Sequence, residues 1–112
     1  MAAQRFERTF EFPDLAVDTP VSLGSASGLY LGAQVRGTGL DADDSDYAFY
    51  QSNDGTNWEK ITGGDITNVV TDAAPLAISL SDVFTMRLLG FGKSSAGAAT
   101  SGQIIIDAFV KD

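Results

Sequence analysis

Apolar and polar residues alternate with a period of two along most of this chain, the pattern of half-buried β-strands. In Phe6 to Phe12, Phe6, Phe10 and Phe12 share one parity and Glu7, Thr9 and Glu11 the other, with Arg8 as the one break in the apolar side. Leu29 to Arg36 sets Leu29, Leu31, Ala33 and Val35 against Tyr30, Gly32, Gln34 and Arg36. Thr19 to Leu23 reads as a short strand, with Pro20 marking a start or an edge. Tyr47 to Gln51 and Asn57 to Ile61 flank Asn53-Asp54-Gly55 as a hairpin, because Asp-Gly tolerates the positive φ angles of a tight turn. A two-residue turn sets Trp58 opposite Gln51, and a three-residue turn sets it opposite Tyr50. Gly63-Gly64 reads as a break, with short strands following at Ile66 to Val70 and Leu76 to Leu80. Val83 to Phe91 and Gln103 to Val110 are apolar on both faces, which puts them at a sheet centre or against another subunit. Gly37 to Asp46 and Gly92 to Gly102 read as loops.

About eight short strands, with at most one helical turn near Ala73, predict an all-β protein: an antiparallel, jelly-roll-like β-sandwich. At 112 residues it is a single domain, residues 1–112, with residues 1–12 as an N-terminal arm or edge strand. Composition then narrows the function. No run approaches the ~18 apolar residues of a membrane span, and the N-terminus lacks the apolar centre of a signal peptide, so synthesis in the cytoplasm is expected. The chain has no Cys and no His, which removes thiol chemistry and the side chain that dominates acid–base catalysis and transition-metal ligation. A net charge of −8 disfavours nucleic acid and anionic lipid as partners. The expectation is a protein that is not an enzyme and carries no cofactor or metal.

Four features of the sequence are candidate sites. Asp41-Ala42-Asp43-Asp44-Ser45-Asp46 alternates carboxylates as a calcium loop does, but it has Asp46 where such a loop needs Gly and lacks the closing Glu; a solvated acidic loop fits better. Tyr50 and Trp58, with Tyr47 and Phe49, form either a sugar-stacking platform or an aromatic cluster that closes one end of the core. Gly92-Lys93-Ser94 carries the ending of a phosphate loop without its upstream glycine or following helix. Carboxylate pairs for glycoside hydrolysis occur in no diagnostic setting among the 15 acids.

Ser52-Asn53-Asp54-Gly55-Thr56-Asn57-Trp58 resembles a hairpin of discoidin-like (coagulation factor 5/8 type C) sandwiches, and Val83 to Leu88 resembles a later Arg-bearing strand of that family. The likeness covers about a third of the chain; the family's domain is longer and usually stapled by Cys. The hairpin is also similar to that of small virion proteins of tailed bacteriophages, including capsid decoration (cement) proteins. That resemblance implies a structural protein, made in the host cytoplasm and carried on the virion, whose partners are the major capsid protein and copies of itself, often as a trimer. On this reading Phe6, Phe10 and Phe12 are the interface, placed on a neighbour by an extended arm. The alternative is a carbohydrate-binding module with Tyr50 and Trp58 as its platform.

Overall fold

The computed structural model describes residues 4–26, 30–41, 46–67, 69, 76–80, 87–95 and 99–111. Eight strands run in chain order: β1 (Gln4–Glu11), β2 (Val21–Ser25), β3 (Tyr30–Thr38), β4 (Asp46–Ser52), β5 (Glu59–Ile66), β6 (Leu76–Leu80), β7 (Leu88–Ser95) and β8 (Gln103–Lys111). They form two four-stranded antiparallel sheets, in the orders β1-β8-β3-β6 and β2-β7-β4-β5. Strands 1 and 8, 2 and 7, 3 and 6, and 4 and 5 therefore pair as nested partners, which is the jelly-roll winding of an all-β sandwich. β8, apolar on both sides, is central in its sheet, and so is β7, which holds the Leu88–Phe91 end of the other such run. One side of each faces the core, while Phe109 on the outer side of β8 stays exposed.

The core lies between the sheets. From β8, Ile104, Ile106, Ala108 and Val110 point inward, and Leu31, Ala33 and Val35 join them from β3. Opposite, Phe91 is the centre of an aromatic cluster. Its ring stacks with Tyr47 at 5.4 Å and Phe10 at 6.0 Å and meets Phe49 edge-on at 5.2 Å. Phe10 belongs to the other sheet, so this contact ties the layers together; each such pair contributes about 0.5–1.5 kcal/mol beyond burial.

The three Phe rings assigned to a neighbouring subunit are occupied within the chain. Phe6 and Phe10 pack on the core from edge strand β1, and Phe12 is buried in a short 3-10 turn, Phe12–Asp14, started by Pro13. Residues 4–11 are thus an edge strand and not a free arm. Arg8 sits on the inner side of β1 between two of these rings. Its guanidinium lies 5.5 Å from the Phe10 ring and donates to the Ser22 carbonyl at 3.3 Å, joining the edges of both sheets.

Glycine accounts for the differences from the sequence pattern. Gly63-Gly64 does not break the chain: β5 runs through it, and the register opposite shifts between Ala48 and Tyr50. Gly63 takes a φ of 80°, so the pair forms a bulge within one strand. Likewise Gly92, Lys93 and Ser94 continue β7, where Gly92 allows close approach of Pro20. Arg87 forms a bend before β7, and the remainder of the expected strand from Val83 lies outside the described residues, as do the helical turn near Ala73 and Val70.

Candidate functional site

The connection between β4 and β5 spans Asn53 to Trp58, longer than either tight turn expected, and Gln51 pairs with Glu59. Gly55 takes a φ of 77°, whereas Asp54 stays outside the left-handed region. Side chains shape the loop instead. The Ser52 hydroxyl accepts from the N–H groups of Asp54 (3.2 Å) and Gly55 (3.0 Å) and donates to Asp54 Oδ1 at 3.0 Å. That same oxygen accepts from the N–H groups of Thr56 and Asn57 at 2.9 and 2.8 Å, and Asp54 Oδ2 accepts from Asn57 Nδ2 at 2.8 Å. These donors, led by the Asn57 and Thr56 N–H groups, hold the Asp54 carboxyl well below the usual carboxylate range.

Trp58 leaves this loop and lies over Gly90 of β7, on the outer side of the β2-β7-β4-β5 sheet. A Cβ at Gly90 would stand 2.5 Å from Cζ3 of the indole, so only glycine seats the ring there. Trp58 is half-buried and borders an open hollow of about 370 Å³, walled also by Asn53, Asp54, Asn57 and Glu59. Tyr50 does not join it as a ligand platform: it is only 7% exposed, and burial raises its phenol pKa. Tyr47 and Phe49 are fully buried in the core. The sequence signal that marks the seat is a glycine in an otherwise apolar strand, where another group approaches closely.

The outer face of the β1-β8-β3-β6 sheet is the second surface. Cross-strand register sets Arg5, Phe109 and Gly32 in one row, Glu7, Asp107 and Gln34 in the next, and Thr9, Ile105 and Arg36 in a third. Phe109 (37% exposed) and Tyr30 (42%) are two of the three exposed large hydrophobic residues among those described. The Phe109 ring covers Gly32, whose Cβ would meet Cε1 at 2.5 Å. Arg5 grips Asp107 through two bonds, at 2.8 and 3.3 Å, and reaches Glu7 at 3.2 Å. A shallow groove of about 470 Å³ runs beside Glu7, Thr9, Ile105 and Arg36. The charged residues here are Arg5, Arg36 and Lys111 against Glu7, Glu11 and Asp107, and they cancel on a chain whose net charge is −8.

The acidic loop begins with a structural role. Asp41 Oδ1 accepts from the N–H groups of Thr100 (2.7 Å) and Ser101 (3.1 Å), and Oδ2 accepts from the Thr100 hydroxyl. The Thr100 hydroxyl and these N–H groups lower the Asp41 pKa to about 2 and clamp the β3–β4 connection to the β7–β8 connection. Residues 42–45 lie outside the described residues. Lys93, 8% exposed, lies on the inner side of β7 with Nζ 3.9 Å from the Phe12 ring centre, and burial lowers its pKa. It serves the core as a cation over an aromatic face.

No family model matches this chain, and no curated protein matches it in sequence. The likeness of Ser52 to Trp58 to discoidin-like and virion hairpins therefore rests on those residues alone.

Proposed function

We propose that this chain is a structural protein of a tailed-bacteriophage virion, a capsid decoration or cement protein that works by docking and not by catalysis. The observation that carries this reading is the outer face of the β1-β8-β3-β6 sheet. Its charges cancel while the whole chain carries −8, so copies spaced closely on a shell meet a partner there without net repulsion. Tyr30 and Phe109 supply an apolar patch toward one end of the face and Ile105 a second toward the other. The polar row Glu7, Asp107 and Gln34 lies between them, with Arg5 and Arg36 alongside, a mixture of apolar and hydrogen-bonding groups that a protein–protein contact uses. The partner is the major capsid protein.

Docking by a face also suits the edges. β1 carries the inward-pointing Arg8, β2 has a bulge between Ser22 and Gly24, and β5 is bulged and carries the exposed Lys60. Such features deter the addition of a neighbour's strand. At the level of fold, viral capsid domains and lectins both use jelly rolls, an analogy that supports assembly without deciding it.

Light scattering after size exclusion, with cosedimentation on purified tailed-phage capsids, tests the reading. The full chain should form an oligomer or attach to capsids, and Ile105→Glu should weaken that contact by about tenfold or more while leaving the melting temperature unchanged. A chain that stays monomeric at high concentration and attaches to no capsid overturns the proposal.

A further inference from the structure

We infer that the tip of the β4–β5 hairpin binds a neutral saccharide, stacked on Trp58. The site lies across the sandwich from the docking face, on the outer side of the other sheet, and does not depend on that face having a partner.

The geometry of the indole comes first. A Cβ at Gly90 would stand 2.5 Å from Cζ3 and 2.9 and 3.0 Å from its ring neighbours Cη2 and Cε3. Near-equal distances to both neighbours describe an approach onto the face of the ring; an approach along its edge would leave the neighbours well beyond 3 Å. One face of the indole therefore covers the sheet and the other turns away from it, and the ring forms part of the wall of the hollow of about 370 Å³. A pyranose has one flat side of C–H groups, which an aromatic face matches, and a rim of neighbouring hydroxyls, which planar side chains with adjacent donors and acceptors match.

The hollow has such side chains. Asn53, Asn57 and Glu59 stand around the ring. Asn57 is held in place by Asp54, which accepts from both its backbone N–H and its Nδ2 at 2.8 Å. This orientation leaves the second N–H of the amide and its Oδ1 as a donor–acceptor pair for two hydroxyls, with little ordering left to do on binding. Asp54 and Glu59 place negative charge on the walls, which disfavours sulfated and carboxylated sugars and selects neutral ones.

Trp58 is the chain's single Trp, so its fluorescence reads this site directly. The probes are cellohexaose, chitohexaose, maltohexaose and mannohexaose, with a heparin hexasaccharide as the anionic comparison, each titrated into the full chain. At least one neutral probe should change the emission saturably at millimolar or lower concentration, and heparin should not. Asn57→Ala and, separately, Asn53→Ala should each weaken binding by about tenfold, with melting curves confirming that both variants fold. The inference is overturned if no neutral probe changes the emission, if heparin binds as well as the best neutral probe, or if both Asn variants bind like the parent. Ile105→Glu, on the opposite face, should leave saccharide binding unchanged, so the two proposals fail separately.

Discussion

Two carboxylates show how single residues organise this chain. Asp54 and Asp41 each gather backbone and hydroxyl donors in exposed loops, and both titrate below the ordinary range, Asp41 at about 2. A carboxyl whose folded pKa is depressed favours folding above its unfolded pKa of about 3.9, and that contribution is lost as pH falls through the folded value. Melting temperature should therefore hold above about pH 5 and fall progressively toward pH 2. The double variant Asp41→Asn, Asp54→Asn should melt lower at neutral pH and fall less steeply with acid. Differential scanning calorimetry across that range measures both, and parallel curves for parent and variant would refute the assignment.

Within the strands, glycine decides what packs on the outer faces. Gly90 seats Trp58, Gly32 seats Phe109, and Gly102, just before β8, meets the Leu40 backbone. The obstacles differ in kind. At Gly90 a new Cβ meets a half-buried ring that can shift outward, so Gly90→Ala should lose about 1–2 kcal/mol. At Gly102 it would stand 2.7 Å from Leu40 Cα and 2.8 Å from Leu40 N, at a φ of 125°. Backbone cannot move aside as a ring can, and the conformation itself is unfavourable for alanine, so Gly102→Ala should lose roughly 3 kcal/mol. Urea unfolding gives both values. Gly90→Ala should in addition shift Trp58 emission to the red before unfolding begins, a change that Gly102→Ala should lack.

Taken as a whole, the molecule is a set of nested strand pairs whose sequence separations grow outward. β4 and β5 are neighbours in the chain, whereas β1 (residues 4–11) pairs with β8 (residues 103–111). Closing the outer pairs requires ordering nearly the entire chain before the contacts compensate, which places folding in the range of about milliseconds to seconds. Stopped-flow refolding followed by Trp58 emission should fall in that window. A sub-millisecond phase carrying the full amplitude would mean that the nested pairing does not limit the rate.

The period-two alternation by itself determined the fold class, because only a strand places Leu31, Ala33 and Val35, or Ile104, Ile106 and Val110, on one side of a sheet. The doubly apolar run Gln103 to Val110 likewise falls on a central strand, β8, as does the Leu88–Phe91 end of the other run on β7. Glycine misleads a local reading: Gly63-Gly64 and Gly92 look like breaks, but a strand keeps its ladder through glycine when a bulge or a close neighbour needs the space. The candidate site was partly legible. Trp58 and the Asn-Asp-Gly loop stood out at once, whereas the burial of Tyr50 and the internal packing of Phe6, Phe10 and Phe12 did not. Alternation tells which residues share a side of a strand, not which sheet covers that side. Only the tertiary pairing of β1 with β8, and of β4 with β7, decided that those rings fill the chain's own core and that Trp58, Tyr30 and Phe109 remain at its surface, because burial belongs to the layers a strand lies between and not to the strand.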